Sequence, residues 1–185
     1  GVLNLENKKY TANENDTEIT INKNITINGQ GSILDADNKI RIMIIEDGVA
    51  VSLNNLTFTK GVGSSFGSAL YVSGNLNVNN CIFVNNTSTY MGGAIGAYHG
   101  DMIITVINST FSNNTADLEG GAIGMEAGDL IVKNSTISDT SAMGDHGGAG
   151  AIYSYSIVKV INSTFINTTA AAGGAIGADY SGRVY

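Results

Sequence analysis

Two short motifs alternate along this chain, each five times, and this repetition limits the possible folds more than any other feature. The first reads Asn-x-Thr-Phe in most copies, and its last position recurs every 25 to 28 residues. The occupants of that position are Phe58, Phe83, Phe111, Ile137 and Phe165. The second motif is of the Gly-Gly-Ala-Ile type and ends at Leu70, Ile95, Ile123, Ile152 and Ile176. Such linked repeats predict a solenoid with one coil per repeat.

The local pattern inside each repeat alternates with period two, which predicts β-strands with one face turned inward. Ile104 and Val106 illustrate the alternation, and the equivalent positions are apolar in every copy. Leucine-rich repeats have a similar period, but their spaced leucines are absent. Three short strands per repeat therefore predict an all-β fold, a right-handed parallel β-helix of about six or seven coils. Its coils should stack about 4.7–4.9 Å apart.

The corners of the predicted coil carry small and polar residues. The asparagines of the first motif fit a turn between two strands, where their amides can bond neighbours in the stack. The residues that follow them are small enough for a tight inner corner: Cys81, Ser109, Ser135 and Ser163. The paired glycines of the second motif fit a bend that tolerates no Cβ.

We interpret residues 1–185 as a single domain and as a fragment of a longer protein, because neither a leader nor a linker is recognisable. Residues 1–18 are predicted to be an N-terminal cap, since an exposed coil is an unpaired sheet edge. Residues 19–60 should form the first coils and residues 61–185 the motif-rich repeats. No comparable cap is expected at the C-terminal end, which we interpret as truncated.

Composition and charge exclude several classes of protein. Only 14% of the residues are charged, and the chain is rich in glycine and β-branched residues, which disfavours a helical bundle. No apolar run is long enough to span a bilayer, so we expect no membrane insertion by this fragment. A net charge of -7 without a basic stripe argues against a nucleic-acid partner. The single cysteine, Cys81, excludes an internal disulfide framework.

The alternating motifs resemble the repeats of polymorphic outer membrane proteins. Within that group the Asn- and Thr-rich text is most similar to adhesin-like surface proteins of methanogenic archaea, above all in residues 21–31 and 48–58. The resemblance implies secretion, an extracellular position at the cell surface, and attachment to other cells or to matrix. It implies no catalytic residue. In such repeats a tyrosine commonly follows the second motif, whereas here only two copies keep it and the others have Gly96, Gly124 and Gly177.

Side chains around this glycine strip form the first candidate site. The alternation places five polar or aromatic residues on the outer face: Tyr98, Tyr153, Tyr155, Glu126 and Asp179. We predict a shallow groove for a glycan, with rings stacking on sugar faces and carboxylates bonding hydroxyls. The alternative is ordinary decoration of a solvated face.

Three further features have weaker functional interpretations. A second outer face presents Ile107, Ile131 and Ile161, which predict a protein contact unless they only reflect strand propensity. Asp101, Glu126 and Asp129 could hold calcium, although turn acids that cap exposed amides are the simpler explanation. We therefore expect no cofactor. Five Asn-x-Ser/Thr sites outside the asparagine ladder are plausible glycan acceptors: Asn15, Asn85, Asn86, Asn113 and Asn167.

The sequence thus favours a cell-surface adhesin module that binds a glycan or a protein on another cell or matrix. A passive stalk that spaces a binding domain elsewhere is the first alternative. A polysaccharide lyase or hydrolase is the second, because β-helices host such enzymes and Glu126 with Asp101 or Asp129 could supply two carboxylates.

Overall fold

The computed structural model describes residues 1–144, 148–171, 174–178 and 182–185, and their regular structure is entirely β-strand. No helix in this part of the chain is long and apolar enough to cross a membrane. The strands of the described residues are, in chain order, β1 (Val2–Asn4), β2 (Lys9–Thr11), β3 (Ile19–Ile21), β4 (Ile25–Asp35), β5 (Met43–Ile45), β6 (Ala50–Thr59), β7 (Val62–Gly63), β8 (Leu70–Val72), β9 (Asn75–Asn79), β10 (Ile82–Val84), β11 (Thr87–Ser88), β12 (Ile95–Ala97), β13 (Ile103–Ile107), β14 (Thr110–Ser112), β15 (Thr115–Ala116), β16 (Ile123–Met125), β17 (Asp129–Lys133), β18 (Thr136–Ser138), β19 (Ser141–Ala142), β20 (Ile152–Ser154), β21 (Ile157–Ile161), β22 (Thr164–Ile166), β23 (Ile176–Ala178) and β24 (Arg183–Val184).

These strands form three parallel sheets that wind into a β-solenoid of about seven turns. Sheet A holds 13 of the described strands, sheet B holds seven (β3, β5, β8, β12, β16, β20 and β23), and sheet C holds four (β7, β11, β15 and β19). Each turn contributes one strand to sheet B. The parallel β-helix predicted from the repeats is therefore confirmed. Four of the turns, those that contain β7, β11, β15 and β19, add a two-residue strand in sheet C to the three strands that the sequence predicts.

The repeats stack in register, so that equivalent motif positions form columns. Phe58, Phe83 and Phe111 pair along sheet A, and Leu70, Ile95 and Ile123 do so along sheet B. The phenylalanine rings stack with centroids 4.9 and 4.6 Å apart and interplanar angles of 7° and 6°. All of these side chains are fully buried, and their burial provides the main driving force for stacking one turn on the next.

The asparagine of the first motif divides each later turn of sheet A into two strands. All five asparagines at this position have a positive φ, between 47° and 54°, which asparagine tolerates better than most residues. The small residue that follows fills the inner corner and links the turns. Ser109 Oγ accepts a hydrogen bond from the Cys81 amide at 3.1 Å, and Ser135 Oγ accepts one from Ser109 at 3.1 Å. The predicted turn and inner corner are both confirmed.

A second corner contains a buried asparagine ladder that the sequence analysis did not predict. Asn86 Nδ2 donates to Asn114 Oδ1 at 2.9 Å and to the Phe58 carbonyl at 3.2 Å. Asn114 Nδ2 donates to the Phe83 carbonyl at 3.0 Å. Because Asn86 is fully buried, its interpretation as a plausible glycan acceptor is wrong for the folded chain.

The N-terminal segment continues the ladder of sheet A by one rung. β1 and β2 both pair in parallel with β4, at Val2 to Thr26 and Lys9 to Ile33. Residues 2–11 therefore cover the edge of β4, which is the role expected of a cap, and they do so as strands in register. Asp35, at the end of β4, is buried, and its Oδ2 accepts a hydrogen bond from the Lys9 ammonium at 2.6 Å.

Candidate functional site

The outer face of sheet B is covered by two loops that fold back over it. We call residues 64–67 and 89–92 the covering loops; each lies between a strand of sheet C and the glycine bend that leads into sheet B. Phe66 and Met91, at their tips, are buried outside the main core. They form a second apolar cluster with Ala149 and Tyr153. The face that the sequence predicts to be an open glycine strip is therefore filled by the chain itself.

Two of the strip glycines are required because the covering loops pack directly on them. A Cβ added to Gly96 would lie 2.7 Å from Phe66 Cβ, and one added to Gly124 would lie 2.9 Å from Met91 Cβ. One rung below, Tyr71 occupies the same column as Gly96, and there the Arg41 guanidinium lies 5.3 Å from the centroid of the tyrosine ring. At Gly96 and Gly124 a large covering residue thus lies over a glycine of the sheet, whereas at Tyr71 the sheet itself supplies the large side chain.

The covering loops and the ends of two sheet B strands enclose an open pocket of about 500 Å³. We call it the aromatic pocket; its lining residues are Ser64, Ser65, Phe66, Thr89, Tyr90, Tyr98 and Glu126. Phe66 forms the floor, with its ring centroid 4.8 Å from that of Tyr90 and 4.9 Å from that of Tyr98. Tyr90 meets Phe66 edge-on at 69°, whereas Tyr98 is tilted by 32°. The two tyrosines are 38% and 39% exposed, so part of each side chain is accessible to a ligand, and the His99 ring packs against Tyr98 with centroids 3.7 Å apart.

The aromatic pocket has one ionisable acidic group, Glu126. The Tyr90 hydroxyl donates to Glu126 Oε1 at 3.4 Å, which holds the carboxylate beside the rings. Partial burial and then the negative charge of Glu126 raise the pKa of Tyr90, so this tyrosine remains a hydrogen-bond donor at neutral pH. The pocket can therefore offer aromatic faces, a hydroxyl and a half-buried carboxylate to a ligand.

Arg41 anchors the first covering loop to the N-terminal part of the solenoid. Its Nε donates to the Gly67 carbonyl at 2.7 Å, and its two terminal nitrogens bond Ser65 Oγ at 2.9 Å and Glu18 Oε2 at 3.0 Å. A guanidinium fork can satisfy three such acceptors at once because its donors lie in one plane. This network positions Phe66, and thereby the floor of the aromatic pocket, on the rigid solenoid.

The structure brings together only part of the site that the sequence predicts. Tyr98 and Glu126 line the same pocket, as expected from their places on successive turns. Tyr153 is only 6% exposed, because it is packed into the second apolar cluster, so the expectation of an exposed ring there is wrong. Tyr155 is half-buried, with its ring centroid 5.5 Å from that of Tyr153, away from the aromatic pocket. Asp179 lies outside the described residues.

Sequence reasoning missed Phe66 and Tyr90, which supply two of the three rings. Phe66 directly precedes the glycine bend at Gly67, and Tyr90 lies two residues before the glycine bend at Gly92. The signal that could have found them is the replacement of tyrosine by Gly96 and Gly124 on the sheet. A missing side chain in one column implies that another segment occupies its space.

The isoleucines predicted to form a protein contact do not form an exposed stripe. Ile107, Ile131 and Ile161 are all half-buried. They also lie in two columns, because Ile107 pairs with Lys133 whereas Ile131 pairs with Thr105 and Lys159. On the outside of a stacked sheet each side chain is flanked by those of the rungs above and below, which covers more of it than the alternation alone predicts. The protein-contact prediction is therefore withdrawn.

The residues proposed for calcium are not assembled into a site. Among the described residues, no group of three or more His, Cys, Asp or Glu side chains is close enough to hold a metal ion. Asp101 lines a separate groove with Asp47 and Asn75, whereas Glu126 faces the aromatic pocket. Asp101, Glu126 and Asp129 thus have no shared geometry for a cation.

One family comparison bears on this architecture. Residues 80–98 and 108–124 match the model of the Chlamydia polymorphic membrane protein repeat. The chain carries β-helix repeats of the polymorphic membrane protein type. The first matched stretch contains Tyr90 and Tyr98, and the second ends at Gly124. No curated protein and no solved structure matches the chain.

Polymorphic membrane protein repeats belong to surface proteins and not to an enzyme family. The geometry of the aromatic pocket gives no separate support to hydrolysis, because its described lining holds a single carboxylate. Glycoside hydrolysis usually requires two, on either side of the scissile bond.

Proposed function

We propose that this chain is the adhesive module of a cell-surface protein and that it binds a glycan in the aromatic pocket. The observation that carries the proposal is the cluster of Phe66, Tyr90 and Tyr98 around one groove with Glu126 at its side. The match to polymorphic membrane protein repeats supports a position at the cell surface. Display on an archaeal cell stays a prediction from the resemblance of the sequence.

The chemistry of the pocket suits a pyranose ring. The apolar C–H face of a sugar can lie on Tyr98, whose ring is amphipathic and half accessible. The hydroxyl groups of the sugar can then form hydrogen bonds with the Glu126 carboxylate and with the hydroxyls of Ser64 and Thr89. Tyr98 and Glu126 directly follow strands β12 and β16, and Arg41 anchors the covering loop that carries Ser64, which lowers the entropy lost on binding.

A passive stalk is the second candidate, and the regularity of the solenoid favours it. The buried columns of phenylalanine, serine and asparagine continue through successive turns, which produces a stiff rod. In that case the aromatic rings would only close the outer face of sheet B.

Binding to an immobilised glycan library separates these functions. We expect the chain to bind a subset of the glycans. Tyr98→Ala should lower its affinity for them by about tenfold or more, since stacking contributes on the order of 1–2 kcal/mol. Tyr185→Ala is the matched control, because that side chain is exposed and lies outside the pocket lining. Retention that is unchanged in both Tyr98→Ala and Tyr90→Ala would refute the pocket, and the absence of any retained glycan would favour the stalk. Release of shortened saccharides would instead indicate an enzyme.

A further inference from the structure

We infer that the aromatic pocket selects an amino sugar, whose protonated amine lies against the aromatic rings and Glu126, over neutral and acidic sugars. This inference rests on the proposed glycan-binding function and adds the charge of the ligand. It follows from the electrostatics of the lining residues, which the stacking argument alone does not use.

Every strong electrostatic feature of the pocket lining favours a cation. The faces of Phe66, Tyr90 and Tyr98 carry negative quadrupole potential, and aromatic rings grouped around one space are a recurring arrangement for ammonium groups. Glu126 adds a formal negative charge, and its Oε1 accepts a hydrogen bond from the Tyr90 hydroxyl at 3.4 Å. No lysine or arginine is among the seven described lining residues.

In the described part of the chain, two basic side chains contact the lining residues: His99, whose ring centroid lies 3.7 Å from that of Tyr98, and Arg41, whose charge is compensated. The Arg41 guanidinium donates to Ser65 Oγ and to the Gly67 carbonyl, and it also forms an ion pair with Glu18 at 3.0 Å. Its Nε and both terminal nitrogens therefore each have an acceptor, and Arg41 is not among the residues that line the aromatic pocket. The chain as a whole is acidic, with a net charge of -7, which adds a long-range attraction for cationic ligands.

The same features disfavour the other classes of sugar. A uronic acid would bring its carboxylate toward Glu126, and like charges at close range repel in a half-buried site. A neutral or N-acetylated sugar could still stack on Tyr98, but it would leave the Glu126 charge without a cationic partner. The three classes should therefore rank amino sugar, neutral sugar and acidic sugar, in order of decreasing affinity.

Calorimetry with three oligosaccharides of equal length tests the inference: a glucosamine hexamer, an N-acetylglucosamine hexamer and a galacturonate hexamer. The measurement is made in low salt at a pH at which the amine is protonated. We expect the glucosamine hexamer to bind about tenfold or more tightly than the N-acetylated one, the size of one partly desolvated cation–π or charge contact. The galacturonate hexamer should bind most weakly.

Two variants with the same change in net charge identify the source of the preference. Glu126→Gln should remove most of the tenfold preference, because it should weaken binding of the glucosamine hexamer far more than binding of the N-acetylated hexamer. Glu46→Gln should retain the preference, because Glu46 is exposed and lies outside the pocket lining. Tyr98→Ala should weaken binding of both hexamers.

Each remaining outcome separates the two proposals. Equal or tighter binding of the N-acetylated hexamer, with loss in Tyr98→Ala, would overturn the amino-sugar inference and leave the glycan-binding function standing. A preference for glucosamine that survives in Glu126→Gln would overturn it as well. No binding of any oligosaccharide would remove both proposals.

Discussion

Phe66 packs on Gly96 across one turn of the solenoid, so closely that a Cβ added to the glycine would lie 2.7 Å from the Cβ of the phenylalanine. Gly96 belongs to a column of sheet B that holds, in order, Thr20, Ile44, Tyr71, Gly96, Gly124, Tyr153 and Gly177. The floor of the aromatic pocket therefore exists only because this rung of sheet B carries no side chain.

Replacing Gly96 with alanine should displace the first covering loop. The added methyl group would meet backbone atoms of Phe66 and Gly67 as well as the Phe66 side chain, and overpacking of this kind costs about 1–3 kcal/mol. We expect Gly96→Ala to lower the urea midpoint and to increase the exposure of Phe66, Tyr90 and Tyr98, which near-ultraviolet circular dichroism reports. Gly174→Ala is the control, since an added Cβ there meets nothing within 4 Å. Equal stability of the two variants would contradict the packing.

Asp35 should make the stability of the N-terminal turns depend on pH in the acidic range. Burial alone would raise the pKa of this carboxyl, but the hydrogen bond from Lys9, the amide of Asp37 and the charge of Lys60 outweigh burial and lower the pKa below its usual value of 3.8. A lowered native pKa means that the stabilisation is present above pH 3.8 and is lost as the pH falls through the native pKa.

Asp35→Asn removes this contribution. At neutral pH the variant should be about 2 kcal/mol less stable, the size of a hydrogen bond to a charged group. Its free energy of unfolding should vary less with pH than that of the wild type, so that the two curves converge in acid. Denaturant titrations at a series of pH values measure both, with the exposed Asp117→Asn as control. A gap between the curves that is constant with pH would contradict the ion-pair mechanism.

Cys81 should be chemically inert while the solenoid is folded. Burial raises the pKa of its thiol to about 11, against weaker opposing effects of nearby backbone groups, so the nucleophilic thiolate is scarce at neutral pH. We expect no reaction with a disulfide reagent at pH 8 in native conditions and complete reaction in denaturant. Rapid stoichiometric labelling of the native chain would show that the corner opens. Cys81→Ser should be well tolerated, because serine occupies the same column at Ser109 and Ser135.

The fold could be predicted from the sequence because the same spacing of apolar residues, asparagines and glycines recurs in each repeat. An inward column such as Phe83 and Phe111 is legible without tertiary information, since in-register stacking places equivalent positions on top of each other. The asparagine turns were legible for the same reason. The buried Asn86 ladder was not, because Asn86 and Asn114 lie beside exposed asparagines and only the corner geometry decides which of the two turns inward.

The site was harder to predict because it depends on a contact between different turns. Alternation along one strand correctly placed Tyr98 and Glu126 near each other. It could not show that a loop from the preceding turn folds over Gly96, or that Tyr153 is covered. Such contacts depend on the path of an irregular loop, for which periodicity carries no information.

The buried asparagine ladder should be essential for stability. Asn86 donates to Phe58 and Asn114, and its Oδ1 accepts the Gly61 amide at 2.9 Å. Asn86→Asp keeps the shape but loses both donors and places a carboxylate beside the Asn114 oxygen. We expect a loss of about 3 kcal/mol or more at neutral pH, measured by chemical denaturation. Asn77→Asp makes the same chemical change on an exposed strand position and should cost little. Similar losses in both would contradict the role of the ladder.

Thr140 marks the place where this ladder is interrupted, and restoring it should stabilise the chain. It follows Asn86 and Asn114 in the same column and is 1% exposed, and its hydroxyl has no hydrogen-bond partner among the described residues. In the ladder Asn86 donates to Asn114 Oδ1 and Asn114 donates to the Phe83 carbonyl, so an asparagine at 140 should accept from Asn114 through its Oδ1 and donate to the Phe111 carbonyl. We expect Thr140→Asn to raise the free energy of unfolding by about 1 kcal/mol, the net contribution of one hydrogen bond that satisfies a buried polar group. Thr110→Asn, on an exposed strand position, controls for the general effect of the substitution. If Thr140→Asn destabilises the chain while Thr110→Asn is neutral, the corner at Thr140 is too narrow for the amide, and the asparagine ladder ends at Asn114 for steric reasons.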